Sequence, residues 1–170
     1  MAKIAVLGLG ESLKLYNGAE DFTVGVNDIW AQVQADYIVC VDERSRFTPA
    51  RLAVIDDSYP IKFYSHLDCW AGRDDFSRIA LQEAYPDYVC QLDTPKLPMS
   101  MCSPFVATAL AYKILGATEV HIYGVDLLTH WHLKDKTADK IVQHFKALKV
   151  ALIQHGCGFV VHGNGRLKVL

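Results

Sequence analysis

Several polar residues fall at spacings that can do chemistry. The segment 129–135, THWHLKD, sets His130 and His132 on either side of a tryptophan, just past a strand-like run ending at Asp126. Histidine is the usual general base or acid near neutral pH. An H-x-H pair also suits a metal, with Asp126 as a third ligand. Near the N-terminus, GLGESL (8–13) follows an apolar run. Gly8 and Gly10 allow a close backbone approach, and Ser12 can cap a helix or donate to a phosphate. A helix beginning near Leu13 would aim free N–H groups at that loop. Asp28 comes about twenty residues after the glycines, where a dinucleotide fold places the acid that holds a ribose hydroxyl. Leu13, however, stands where the third glycine of that fingerprint would be. Asn27 offers both a donor and an acceptor. Asp42 ends a third strand-like run, and Ser103 with Pro104 heads a helix. Each of these is equally the polar turn that any strand or helix end needs. The other histidines, His66, His121, His144, His155 and His162, lack obvious sequence partners and read as structural.

These residues need elements to position them. KIAVLG (3–8) is a continuous apolar run, as in a parallel sheet covered on both faces. Further strands are expected at 23–28, 35–43, 60–66, 87–92, 118–126 and 156–163. Helices fit between them, from about Leu13, at 28–35, at 103–116 and at 137–156. Ser103 is the expected N-cap of the third, with Pro104 at its first position and Gly116 at its end. In the fourth, Ile141, Phe145, Leu148 and Leu152 form an apolar stripe. The expected architecture is an α/β, Rossmann-like three-layer sandwich with a mainly parallel sheet of about six or seven strands. In such a sheet ligands bind at the carboxyl ends of the strands. Residues 1–170 are read as a single nucleotide-binding domain.

Bulk properties narrow the partners. The formal net charge is −2, which gives no bulk reason to expect nucleic acid or an anionic membrane. No run approaches the ~18 apolar residues of a membrane span, and no targeting segment is visible, so the cytoplasm is the default compartment. The five cysteines form no C-x-x-C pair and read as reduced thiols, with Cys40 and Cys90 in the core. No resident metal is expected of them.

With these segments in view, the chain resembles the Campylobacter-type sialyltransferases and the DUF115 group of 6-hydroxymethylpterin pyrophosphokinase-like proteins. Both open with a G-x-G-P-S-L loop, matched here by GLGESL. Both carry an asparagine at the end of strand two, matched by Asn27. Both have a serine-headed helix, a glycine, a strand and G-[IV]-D, matched by SPFVATALAYKILGATEVHIYGVDL. In this pattern leucine is expected at position 13, and Glu11 stands in place of proline. The resemblance implies a nucleotide ligand of the CMP/CTP or ATP class, held by Gly8, Gly10, Ser12, Asn27, Ser103 and Pro104. It implies a catalytic base at His132, with His130 second. Phosphoryl transfer would add magnesium, held by Asp42 and Asp126. The long sialyltransferase lid is missing, since five residues separate Asp126 from His132. A neighbouring subunit in a homo-oligomer, or the segment 67–100, would then have to supply it. Three functions follow: a group transferase using a nucleotide donor, a non-catalytic nucleotide-binding or sequestering protein, and an NAD-dependent oxidoreductase.

Overall fold

The computed structural model describes residues 1–87, 89–128 and 134–170. Seven strands form one sheet: β1 (Ala2–Leu7), β2 (Phe22–Val26), β3 (Tyr37–Val39), β4 (Lys62–Ser65), β5 (Phe76–Arg78), β6 (Ala117–Tyr123) and β7 (Gly158–Val161). Their order is β5-β4-β3-β2-β1-β6-β7, and every pairing is parallel. The chain winds outward from β1 to β5, then returns past β1 to place β6 and β7 on its other side. This is a Rossmann-like α/β sandwich, with its switch point between β1 and β6.

Connection handedness decides which face each crossover covers. Right-handed crossovers put the β1–β5 links on one face and the two later links on the other. The side chains follow. Ile4 and Val6 of β1 point into a core with Phe105, Leu110, Phe145 and Leu148. Ala5 and Leu7 point into the opposite core with Ile29, Ile55, Phe63 and Trp70. The first face is covered by α2 (Ser103–Lys113) and α3 (Asp135–Gln154). α2 is buried on nearly every side, because Ile79, Cys90, Leu92 and Leu97 of the preceding loop join its core. The second face has a thinner cover, made of α1 (Pro49–Asp57) and short 3-10 turns at Glu11–Leu15, Ile29–Ala31 and Asp68–Trp70.

Several local expectations are corrected. The helix expected from Leu13 is one 3-10 turn, because Leu13 is anchored in the core and Asn17–Gly18 breaks the chain, with Gly18 at φ +76°. The helix expected at 28–35 is also a single turn. Residues 89–92, in the run read as a strand, belong to no strand; the fifth strand is instead Phe76–Arg78. Helix α1 was not foreseen. Ser103 is the first helical residue rather than the cap, a role whose backbone position falls to Cys102. No helix among the described residues is long and apolar enough to cross a membrane. All five thiols are free.

Candidate functional site

The carboxyl ends of β1 and β6 meet at glycines. A Cβ on Gly8 would lie 2.9 Å from the Gly124 carbonyl carbon, and one on Gly124 would lie 2.7 Å from the carbonyl carbon of Gly8. Neither position can carry a side chain without moving the other strand. Gly124 is also left-handed, at φ +68°. The close approach that the glycines permit is thus between two strand ends. Gly10 continues the seam: its N–H donates to Gly124 O at 2.7 Å, and a Cβ there would meet Asp126 Oδ2 at 2.5 Å.

Ser12 closes this seam. Its hydroxyl accepts the Gly124 N–H at 2.9 Å, and its own N–H donates to Asp126 Oδ2 at 2.8 Å. The side chain is buried. Of the loop's N–H groups, those of Gly8, Gly10, Ser12 and Leu13 all have acceptors inside the protein. Those of Leu9 and Glu11 have none among the described residues. Glu11 itself is exposed and 3.7 Å from Lys14.

Beside this seam opens a cleft of about 860 Å³, at the carboxyl ends of β1, β2, β3 and β6. It gathers Gly10, Asn27, Asp42, Ser103, Pro104 and Asp126 from the sequence-derived set. Gly8, Ser12 and Asp28 do not line it. Asn27, at the end of β2, adopts φ +51°, a left-handed conformation asparagine tolerates better than most residues. Ser103 Oγ donates to Asn27 Oδ1 at 3.5 Å, a long contact linking α2 to β2. The first turn of α2 therefore forms one wall. Leu127, on another wall, also adopts a positive φ of +56°, a strained conformation for a branched side chain.

Asp28 is held elsewhere. Arg51 donates to its carboxylate at 2.6 and 3.0 Å, from the first turn of α1, where the Thr48 hydroxyl accepts the Arg51 N–H. That bond holds the guanidinium above its ordinary pKa. Arg51 and Arg46 also line the cleft. Arg46 is exposed and has no ion-pair partner among the described residues. Sequence reasoning missed both arginines. The Thr48-Pro49 pair, an N-cap followed by a first-turn proline, was the readable signal for the helix that carries Arg51. Arg44, by contrast, pairs with Asp56 at 2.6 Å and turns away.

The cleft also exposes no reactive thiol: burial pushes the Cys102 pKa up to about 12, so it stays protonated. None of the described lining residues comes from 67–100, whose later part packs on α2 instead. His130 and His132 lie outside the described residues.

A solved structure has a similar fold. It is the sialyltransferase CstII from Campylobacter jejuni, in complex with the substrate analogue CMP-3FNeuAc. The chain superposes with a TM-score of 0.57 at 14% identity, covering 95% of this chain and 80% of that one. At that identity the likeness establishes a shared fold. No protein-family model and no curated protein matches the sequence.

Proposed function

We propose that this protein binds a nucleotide in the switch-point cleft and is a group transferase using a nucleotide-sugar donor. The observation that carries the reading is the convergence of the α2 N-terminus, Asn27 and Arg46 on one cleft beside the β1–β6 junction. An open α/β sheet places its ligands there. The bound CMP-sugar analogue of the structural neighbour supports the same ligand class.

In this reading Arg46 and the first turn of α2 hold the donor phosphate. Asn27 and Ser103 position the nucleotide, and the carboxylates of Asp42 and Asp126 accept from hydroxyl groups. Gly8 and Ser12 act indirectly, by fixing the floor beneath the ligand. His132, with His130 as second choice, takes the proton of the acceptor hydroxyl. The acceptor oxygen then attacks the donor sugar carbon. The bond from that carbon to the phosphate oxygen breaks, and a nucleoside monophosphate leaves.

A thermal-shift panel of CMP, CTP, ATP and NAD, with and without magnesium, tests the binding. CMP is expected to raise the melting temperature, because a ligand bound only by the folded state stabilises it. If no nucleotide shifts the transition, the reading is overturned. A non-catalytic binding role is the second reading. It is favoured by the glycine loop, whose N–H groups are largely engaged within the protein. CMP binding with transfer rates unchanged by His132→Ala would remove the catalytic assignment and leave the binding one.

A further inference from the structure

On the thin face of the sheet, over β6 and β7, three metal-capable side chains converge away from the cleft. They are Glu20, from the loop before β2, His121 in β6 and His162 just after β7. One ligand atom from each lies within 4.8 Å of the others. His121 Nδ1 is 2.9 Å from His162 Nε2 and 3.3 Å from Glu20 Oε1. In a tetrahedral site with ligand bonds of ~2.0–2.1 Å, donor atoms stand about 3.3 Å apart. Both distances from His121 are within a few tenths of an ångström of that spacing.

The second observation concerns Glu20. Its side chain is only 3% exposed. Oε1 accepts the Tyr123 hydroxyl at 2.7 Å, while Oε2 is buried with no hydrogen-bond partner among the described residues. A buried carboxylate with an unused oxygen calls for a cation. His121 Nδ1 faces both His162 and Glu20, and a single proton there makes a full hydrogen bond to only one of them.

The surroundings match what holds a metal ligand in place. His121 Nε2 is 2.6 Å from Glu119 Oε1, and Lys3 steadies Glu119 at 3.1 Å. A carboxylate on the far ring nitrogen fixes the tautomer that leaves Nδ1 free to coordinate. The His162 ring stacks on Tyr123, with centroids 4.1 Å apart and planes at 5°.

We propose that Glu20, His121 and His162 bind a zinc-class divalent cation, with Glu119 and Tyr123 orienting the ligands. Two imidazoles and one carboxylate suit zinc, and the fourth position falls to water or an exogenous ligand. The ion joins three segments on this face of the sheet: the loop carrying Glu20, the middle of β6 and the end of β7. It also stiffens the back of the cleft, because Gly163 follows His162 and abuts Ser12.

Tag-free, chelator-treated full-length protein titrated with zinc chloride by calorimetry tests this. The expected result is one zinc per chain and a rise in melting temperature. His162→Ala and Glu20→Gln should each abolish that binding. Glu119→Gln should weaken it by roughly 10–100-fold. His155→Ala, remote from the cluster, should leave it unchanged. Cobalt provides a check on the unmutated chain: a tetrahedral d–d spectrum without a thiolate charge-transfer band is expected. Absence of binding overturns the proposal and leaves a proton shared by the histidines in place of a metal. So does a thiolate band, or zinc binding that survives both ligand substitutions.

Discussion

Replacing Ser12 by alanine removes the acceptor of a buried Gly124 N–H and leaves the Ser12 N–H bond to Asp126 in place. A buried donor left without a partner costs about 1–3 kcal/mol. Ser12→Ala is therefore expected to lower the stability of the ligand-free protein by that amount in urea denaturation. A side chain serving only as a ligand contact would leave that stability unchanged, so an unaltered midpoint would sink the assignment. Gly124→Ala acts on the same seam from the other strand. It adds a left-handed penalty of ~1–2 kcal/mol to an overpacking cost of ~1–3 kcal/mol. Its loss should accordingly exceed that of Ser12→Ala. Read in the sequence, the glycines suggested a close approach to a phosphate. The approach is real, but its partner is the backbone of β6, which lies more than a hundred residues away along the chain.

Among the elements, the turn after β3 gives the cleft Asp42, Arg46 and Phe47, and α2 gives it Ser103 and Pro104. If Arg46 holds a donor phosphate, Arg46→Ala should cost CMP about tenfold or more in affinity, at the low end of charge-assisted bonds because the residue is exposed. Cytidine, which lacks the phosphate, should bind both proteins alike. Equal losses for the two ligands would show that Arg46 does not meet the phosphate. Arg46 was hidden in the sequence because the direction of a side chain in a short 3-10 turn depends on what packs beneath it. Arg44, two residues earlier, leaves for Asp56 and stacks its guanidinium over Trp70. The elements that were legible carry their own signals. β1 has a continuous apolar run, α2 has Ser103-Pro104 and Gly116, and α3 has its stripe. Helix α1 has a start signal but buries only Ile55, so no stripe announces it. The strand-end rule still brought Asn27, Asp42 and Asp126 to one cleft, because it depends on topology rather than on exact boundaries.

At the scale of the whole molecule, the two faces of the sheet differ in thickness, and the thick face encloses a titratable group. His144 of α3 is 2% exposed, stacked against Tyr85 and 3.4 Å from Ser100 Oγ. Burial first, and then the charge of Lys140, hold its imidazole below the usual histidine range. Burial does the same for His66. A histidine depressed in the folded state is neutral in both states above its unfolded pKa of about 6.5. As the pH falls below that value, the unfolded chain takes up a proton that the folded chain refuses, and stability is lost until the folded pKa is reached. His155 has the opposite sign, because Asp93 raises it, but the pair is on the surface and contributes little. The depressed carboxyl groups of Asp56 and Glu119 lose their contribution only at lower pH. Stability should therefore fall as the pH drops from 7 through about 6.5 and below. His144→Gln removes the most deeply buried of these histidines and keeps a polar group facing Ser100, so its urea midpoint should vary less steeply with pH over that interval. Parallel pH profiles for the two proteins would show that the buried histidine does not govern the acid limb.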